Sequence, residues 1–222
     1  MRGHVDSLAG AYFAHHRAEV EGHETIDVRQ LDAFLRGLLF TDGTVTRALE
    51  LQTLSSVEVD VISQGEAPLV DGTAHHLGAF EGDTCLQRRV KMSSGDTPIG
   101  VWAESWILPD RLPGGFLGIL NSSRKGIGQS MQGLHLESWR ELLWFRLGRP
   151  PEWADDGFPP DCDAIVRRYR VITGGVPALL IAESFAVEMH EGRFRLLACV
   201  DGKVRPLEEL TFRAERAGLG AA

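Results

Sequence analysis

Residues 164–188 read AIVRRYRVITGGVPALLIAESFAVE. The first ten positions alternate apolar and basic side chains, Gly174-Gly175 supplies a turn, and 176–188 is a nearly continuous apolar run. An alternating strand that turns into an all-apolar one predicts an antiparallel hairpin whose second member lies inside a sheet. In that second strand Ile181, Glu183, Phe185 and Val187 share a face, because side chains alternate along a strand. Glu183 is the single carboxylate in a greasy row. Such a group either pairs with a cation (Arg88, Arg168 or Arg170) or serves hydrogen bonding and proton transfer.

Working outward, the strand LQRRVKM at 86–92 has the same character. Leu86, Arg88, Val90 and Met92 form one face, and Gln87, Arg89 and Lys91 the other. Arg88 is thus a lone charge among apolar neighbours, and a buried charge requires an anionic partner or a structural ion pair. The turn Ser93-Ser94-Gly95-Asp96 leads to a returning strand at 99–108, where Glu104 is a second candidate carboxylate. VEVDVIS at 57–63 alternates strictly and predicts a strand with one buried face. A last pair, 194–200 and 203–207, flanks the Asp201-Gly202 hairpin signal.

Two longer helices are predicted, and the segment 42–47, which breaks the first at Asp42-Gly43, is a candidate start for a short further one. One spans 27–40 with Asp27 as N-cap, since Val28, Leu31, Phe34, Leu35, Leu38 and Leu39 recur at helical spacing. The other spans 129–147, with Met131, Leu134, Trp139, Leu142, Leu143 and Phe145 as its apolar stripe. Residues 65–83 and 148–163, rich in Gly, Pro and polar turn formers, read as loops. Strands that pair as hairpins beside separate helices give the α+β class with a mainly antiparallel sheet.

The 222 residues carry 23 basic and 31 acidic side chains, a net charge of −8. That balance disfavours a nucleic-acid partner but leaves room for a small anion held by one or two arginines. No stretch matches a membrane span or a signal peptide. Cys85, Cys162 and Cys199 are widely spaced and form neither a disulfide framework nor a zinc motif, so the chain reads as reduced and cytoplasmic. The pairs His15-His16 and His75-His76 make poor chelates, and no metal is expected. The segment Ser122 to Gly128 enters a helix and offers backbone amides to an anion without being a P-loop.

In order along the chain, DGTVTR (42–47), LQRRVKM (86–92), AESWILPDRLP (103–113), GIG (126–128), LESWRE (136–141), RRYRVITGG (167–175) and AESF (182–185) resemble the chorismate pyruvate-lyase family, specifically its bacterial, 4-hydroxybenzoate-forming branch. The resemblance implies a single domain over residues 29–207, with an extension at 1–28 and a tail at 208–222. It implies a six-stranded, mainly antiparallel sheet with helices covering one side. It further implies no cofactor and no metal and a small anionic ring substrate; the sequence leaves the oligomeric state open between monomer and homodimer. By the same resemblance Arg88 grips the ring carboxylate and Glu183 hydrogen-bonds the ring hydroxyl. Ile127, through its amide, and Gly128 belong to the anion loop, and Val45 and Thr46 line a flap. The implied reaction is chorismate to 4-hydroxybenzoate and pyruvate. This chain has Gly126 where the family usually has proline, with Lys125 before it and bulky Trp102 and Trp106 in a strand. These departures suit a specialised copy in secondary metabolism. The alternatives are a diverged dehydratase or cyclase on another ring, and a non-catalytic ligand-binding module.

Overall fold

The computed structural model describes residues 26–122, 126–154, 157–159 and 161–210. Most of residues 1–28 and of the tail, together with Lys125, lie outside this range.

The hairpin read from 164–188 is the centre of the molecule. Strand β5 (Asp163–Thr173) pairs antiparallel with β6 (Val176–His190), which is buried along most of its length. The other strands are β1 (Glu58–Pro68), β2 (Thr84–Ser94), β3 (Thr97–Ile107), β4 (Trp139–Gly148), β7 (Arg193–Val200) and β8 (Lys203–Pro206). They form one sheet in the order β1-β2-β3-β7-β6-β5-β4, with β8 on β7 and a long additional β3–β6 pairing. The resemblance implied six strands; among the described residues the sheet has eight, two of them in the hairpin β7–β8, beyond the stretch that resembles the family.

Four helices cover one face: α1 (Ala33–Phe40), α2 (Val45–Thr53), α4 (Phe116–Ser122) and α5 (Ile127–Gly133). Leu35, Leu38 and Leu39 of α1 and Val45 and Leu49 of α2 pack on Ile99, Val101, Phe185 and Val187. Phe116, Leu120 and Met131 pack on Ile107, Tyr169, Leu179 and Ile181. The fifth helix, α3 (Asp71–Leu77), covers the opposite face, where Ala74 and Leu77 meet Leu108, Leu143 and Leu180.

Several expectations are corrected. The first helix begins at Ala33, capped by Asp32, whose side chain accepts from the Leu35 amide at 2.7 Å. Asp27 caps a separate 3-10 turn, and Leu31 between them bridges to Phe194. The helix expected over 129–147 is α5 followed by the edge strand β4. A register shift between Leu142 and Trp144 breaks the two-residue alternation, so Leu142 and Leu143 are both buried and the pattern imitates a helix. The loop expected over 65–83 contains the end of β1 and the short α3. In β1 only Val59 is buried, because this strand is a sheet edge; Val61 is 47% exposed.

Candidate active site

Antiparallel register sets out the helix-covered face as a lattice. Arg88 on β2 lies opposite Ser105 on β3, which lies opposite Ile181 on β6 and Tyr169 on β5. The adjacent row runs Val90, Ala103, Glu183, Arg167. Arg88 and Glu183 are therefore two strands and one row apart. At ~4.8 Å per strand and ~3.4 Å per residue their Cα atoms are about 12 Å apart. Two side chains reaching into that gap leave room for one substituted six-membered ring.

The gap is a cavity of about 560 Å3 including its open mouth. Its floor is the lattice just described. Its walls are Gly43 to Thr46, at the start of α2, and Gly126 to Gly128, at the start of α5. All six residues that the resemblance assigns to the site line it: Arg88, Glu183, Val45, Thr46, Ile127 and Gly128. The two walls touch. A Cβ on Gly128 would collide with the Thr44 methyl, and one on Gly126 would sit 3.3 Å from Thr46 Oγ1. Glycine at these positions lets the two helix starts close over the floor.

Arg88 is 2% exposed. Its Nη1 donates to Gln64 Oε1 at 2.7 Å and to the Leu120 carbonyl at 3.4 Å. Its Nη2 is buried without a partner, and it makes no ion pair among the described residues. Burial pushes the guanidinium below its ordinary value. The ordinary value lies so high that the group stays charged. A buried cation with an unused donor is a site waiting for an anion.

Glu183, at 5% exposure, is held by two donors. Arg167 Nε donates to its Oε2 at 2.6 Å, and the Tyr169 hydroxyl donates to its Oε1 at 3.1 Å. Arg167 also donates through Nη1 to the carbonyls of Leu38 and Leu39, the latter at 3.0 Å. These are orphan carbonyls near the end of α1. Glu183 is thereby held as an acceptor facing the cavity, with lone pairs to spare for a ligand hydroxyl.

Burial and the neighbouring Glu183 push the Tyr169 phenol above its usual range. It stays protonated at neutral pH and keeps donating. Tyr169→Phe is expected to cost about 1–2 kcal/mol of stability through the lost hydrogen bond. It should also weaken binding of a phenolic ligand, measured by titration calorimetry. Because the unfolded phenol releases its proton at lower pH than the folded one, the stability contributed by Tyr169 is complete below about pH 10 and declines above it.

Three residues of the site were not anticipated. Arg167 and Tyr169 lie in the alternating strand 164–173, but the cations expected to pair with Glu183 were Arg88, Arg168 or Arg170, and none of them does. Arg168 instead stacks between Trp106 and Trp144 on the other face, and Arg170 pairs with Glu141. The third is Arg140, which lines the cavity from β4, a segment expected to be helical. Glu104 lies on the far face, bound by Arg89 at 2.9 Å. Trp102 and Trp106 also face away from the cavity, Trp102 fully buried against Phe158. They are excluded as wall residues. Among the described residues no cluster of His, Cys, Asp or Glu is placed to hold a metal. No described helix is long and apolar enough to cross a membrane.

Comparison with known proteins gives a consistent picture. The effector domain of PhnF from Mycobacterium smegmatis superposes with a TM-score of 0.54 at 11% identity, over 66% of this chain and 90% of that one. At that identity the likeness concerns the fold alone. Chorismate pyruvate-lyase of Mycobacterium tuberculosis (strain H37Rv) is 30% identical over 164 residues, 72% of this chain and 82% of that protein. The chorismate pyruvate-lyase of Mycobacterium leprae is 33% identical over 165 residues, 72% of this chain and 77% of the relative. The profile described as Chorismate pyruvate-lyase Rv2949c-like matches residues 39–193, the span that contains every wall and floor residue of the cavity. The chain belongs to the Rv2949c-like chorismate pyruvate-lyase family.

Proposed function

We propose that the protein is a lyase converting chorismate to 4-hydroxybenzoate and pyruvate. The reading rests above all on Arg88, a buried cation with an unpartnered donor in the same cavity as the anchored acceptor Glu183. Chorismate carries a ring carboxylate and, across the ring, a hydroxyl. Arg88 takes the carboxylate, assisted by the Ile127 amide, and Glu183 takes the hydroxyl. Val45, Thr46 and Gly128 close the flap.

The chemistry is balanced within the substrate. The ether bond between the ring and the enolpyruvyl group breaks, and the adjacent ring carbon loses its hydrogen. That proton goes to the enolpyruvyl methylene, whose collapse gives pyruvate, and the ring becomes aromatic. No external oxidant or reductant enters. The protein's part is to hold the reactive conformer, exclude water and stabilise charge on the departing group. Of the departures from the family pattern, Gly126 is the one that lies in the cavity wall, and it fits a specialised copy whose product feeds secondary metabolism.

The test is incubation with chorismate, following pyruvate by a coupled assay and the aromatic acid by chromatography. Equal amounts of pyruvate and 4-hydroxybenzoate above the spontaneous background are expected. Absence of turnover by folded protein that binds 4-hydroxybenzoate would favour a ligand-binding module instead.

A further inference from the structure

The cavity holds more positive charge than the ring carboxylate uses. Arg167 is matched by Glu183, but Arg88 and Arg140 both line the cavity and neither makes an ion pair among the described residues. Arg140 reaches in from β4, on the far side of the floor from β2. Its Nη1 donates to the Asp42 carbonyl in the loop before α2, while its Nε is buried without a partner. Its guanidinium lies 6.0 Å from the centre of the Tyr169 ring, and the hydroxyl of that ring is bonded to Glu183. Arg140 therefore stands at the Glu183 end of the cavity, and Arg88 is based two strands away from Glu183. Arg140 Nη2 lies 3.2 Å from where a Gly128 Cβ would project, so Arg140 also abuts the second wall.

We infer that Arg140 is the binding residue for a second carboxylate, making the cavity selective for a dianion with its two acids on different arms of one ring. This deepens the proposed function and rests on it. If the ring carboxylate is on Arg88 and the hydroxyl on Glu183, the ether carbon next to the hydroxyl-bearing carbon also lies at the Glu183 end. The enolpyruvyl carboxylate then emerges beside Tyr169, where the unused Arg140 donor is. Arg140 contributes to recognition of substrate but not of the aromatic product, which has lost that carboxylate. It also ties ligand to closure, because the same guanidinium holds the Asp42 carbonyl at the flap's base.

The experiment compares two ligands by titration calorimetry on the full chain: 4-hydroxybenzoate, and a benzoate bearing a carboxyvinyl ether, which keeps both acids and cannot eliminate. Arg140→Gln is expected to weaken the dicarboxylate by roughly 10-fold or more, as for a lost charge-assisted pair. Its affinity for 4-hydroxybenzoate should change by less than about 3-fold, and with chorismate KM should rise more than kcat falls. Arg140→Lys, which keeps charge without the fork, should recover part of the dicarboxylate affinity and serves if the glutamine variant does not fold. Equal weakening of both ligands would assign Arg140 to flap structure alone and overturn the inference, as would no change in either. If wild-type protein turns over chorismate in those cases, only the inference fails. If wild-type protein binds neither ligand, the proposed function fails and the inference with it.

Discussion

Arg88→Ala is expected to lower kcat/KM for chorismate by roughly 30- to 150-fold, a loss of about 2–3 kcal/mol in transition-state binding. The reason is the unusual state of this side chain. It is as buried as the core leucines around it, yet among the described residues its only partners are two neutral oxygens, from Gln64 and the Leu120 carbonyl. Its Nη2 has none. An interaction of this kind contributes little to folding and much to holding an anion. Stability of the alanine variant, from urea denaturation, should therefore fall by no more than about 1 kcal/mol, because removing an uncompensated charge offsets the lost packing. Arg88→Lys should not restore activity, since one ammonium cannot reproduce a planar two-pronged grip on a carboxylate. An alanine variant with wild-type rate would remove Arg88 from the site.

Arg167→Met should act in the opposite way, on the fold first. It leaves Glu183 as a carboxylate at 5% exposure with the Tyr169 hydroxyl as its remaining partner among the described residues. It also strips the Leu38 and Leu39 carbonyls of their donor. Removing one partner of a buried pair costs about 3–5 kcal/mol. The double variant Arg167→Met with Glu183→Leu should recover a large part of that loss, because no charge is then stranded. It should nonetheless be inactive, since the ring hydroxyl has lost its acceptor. Denaturation curves and chorismate turnover on the three proteins test both statements. A stable single variant would mean that the pair is not closed in solution.

The contrast between the two arginines explains how much was legible in the sequence. Alternation alone picked out Arg88 and Glu183 as lone charges on apolar faces, and both are buried on the helix-covered face. The antiparallel hairpins around β6 and β2–β3 were legible for the same reason. The partner of Glu183 was not. A two-residue turn at Gly174-Gly175, counted back without interruption, puts Val166 opposite Glu183. The register shift beside Val171 moves Arg167 there instead. A second shift in β4 hid that strand, and with it Arg140. Bulges are single-residue events fixed by packing across the sheet, and periodicity in one segment does not record them. The bulk of Trp102 and Trp106 is plain in the sequence, but the side of the sheet they occupy follows from the pairing of β3 with β2 and β6, which puts them behind it.

The chain belongs to a chorismate pyruvate-lyase family, and the cavity supplies the arrangement by which the proposed reaction would proceed. A crystal structure of the protein with 4-hydroxybenzoate tests that arrangement most directly. The account predicts the carboxylate within hydrogen-bond distance of Arg88 Nη2 and the Ile127 amide, and the hydroxyl on Glu183 beside Tyr169. A ring bound in the reverse sense, or outside the cavity while Arg88 Nη2 stays without a partner, would contradict it.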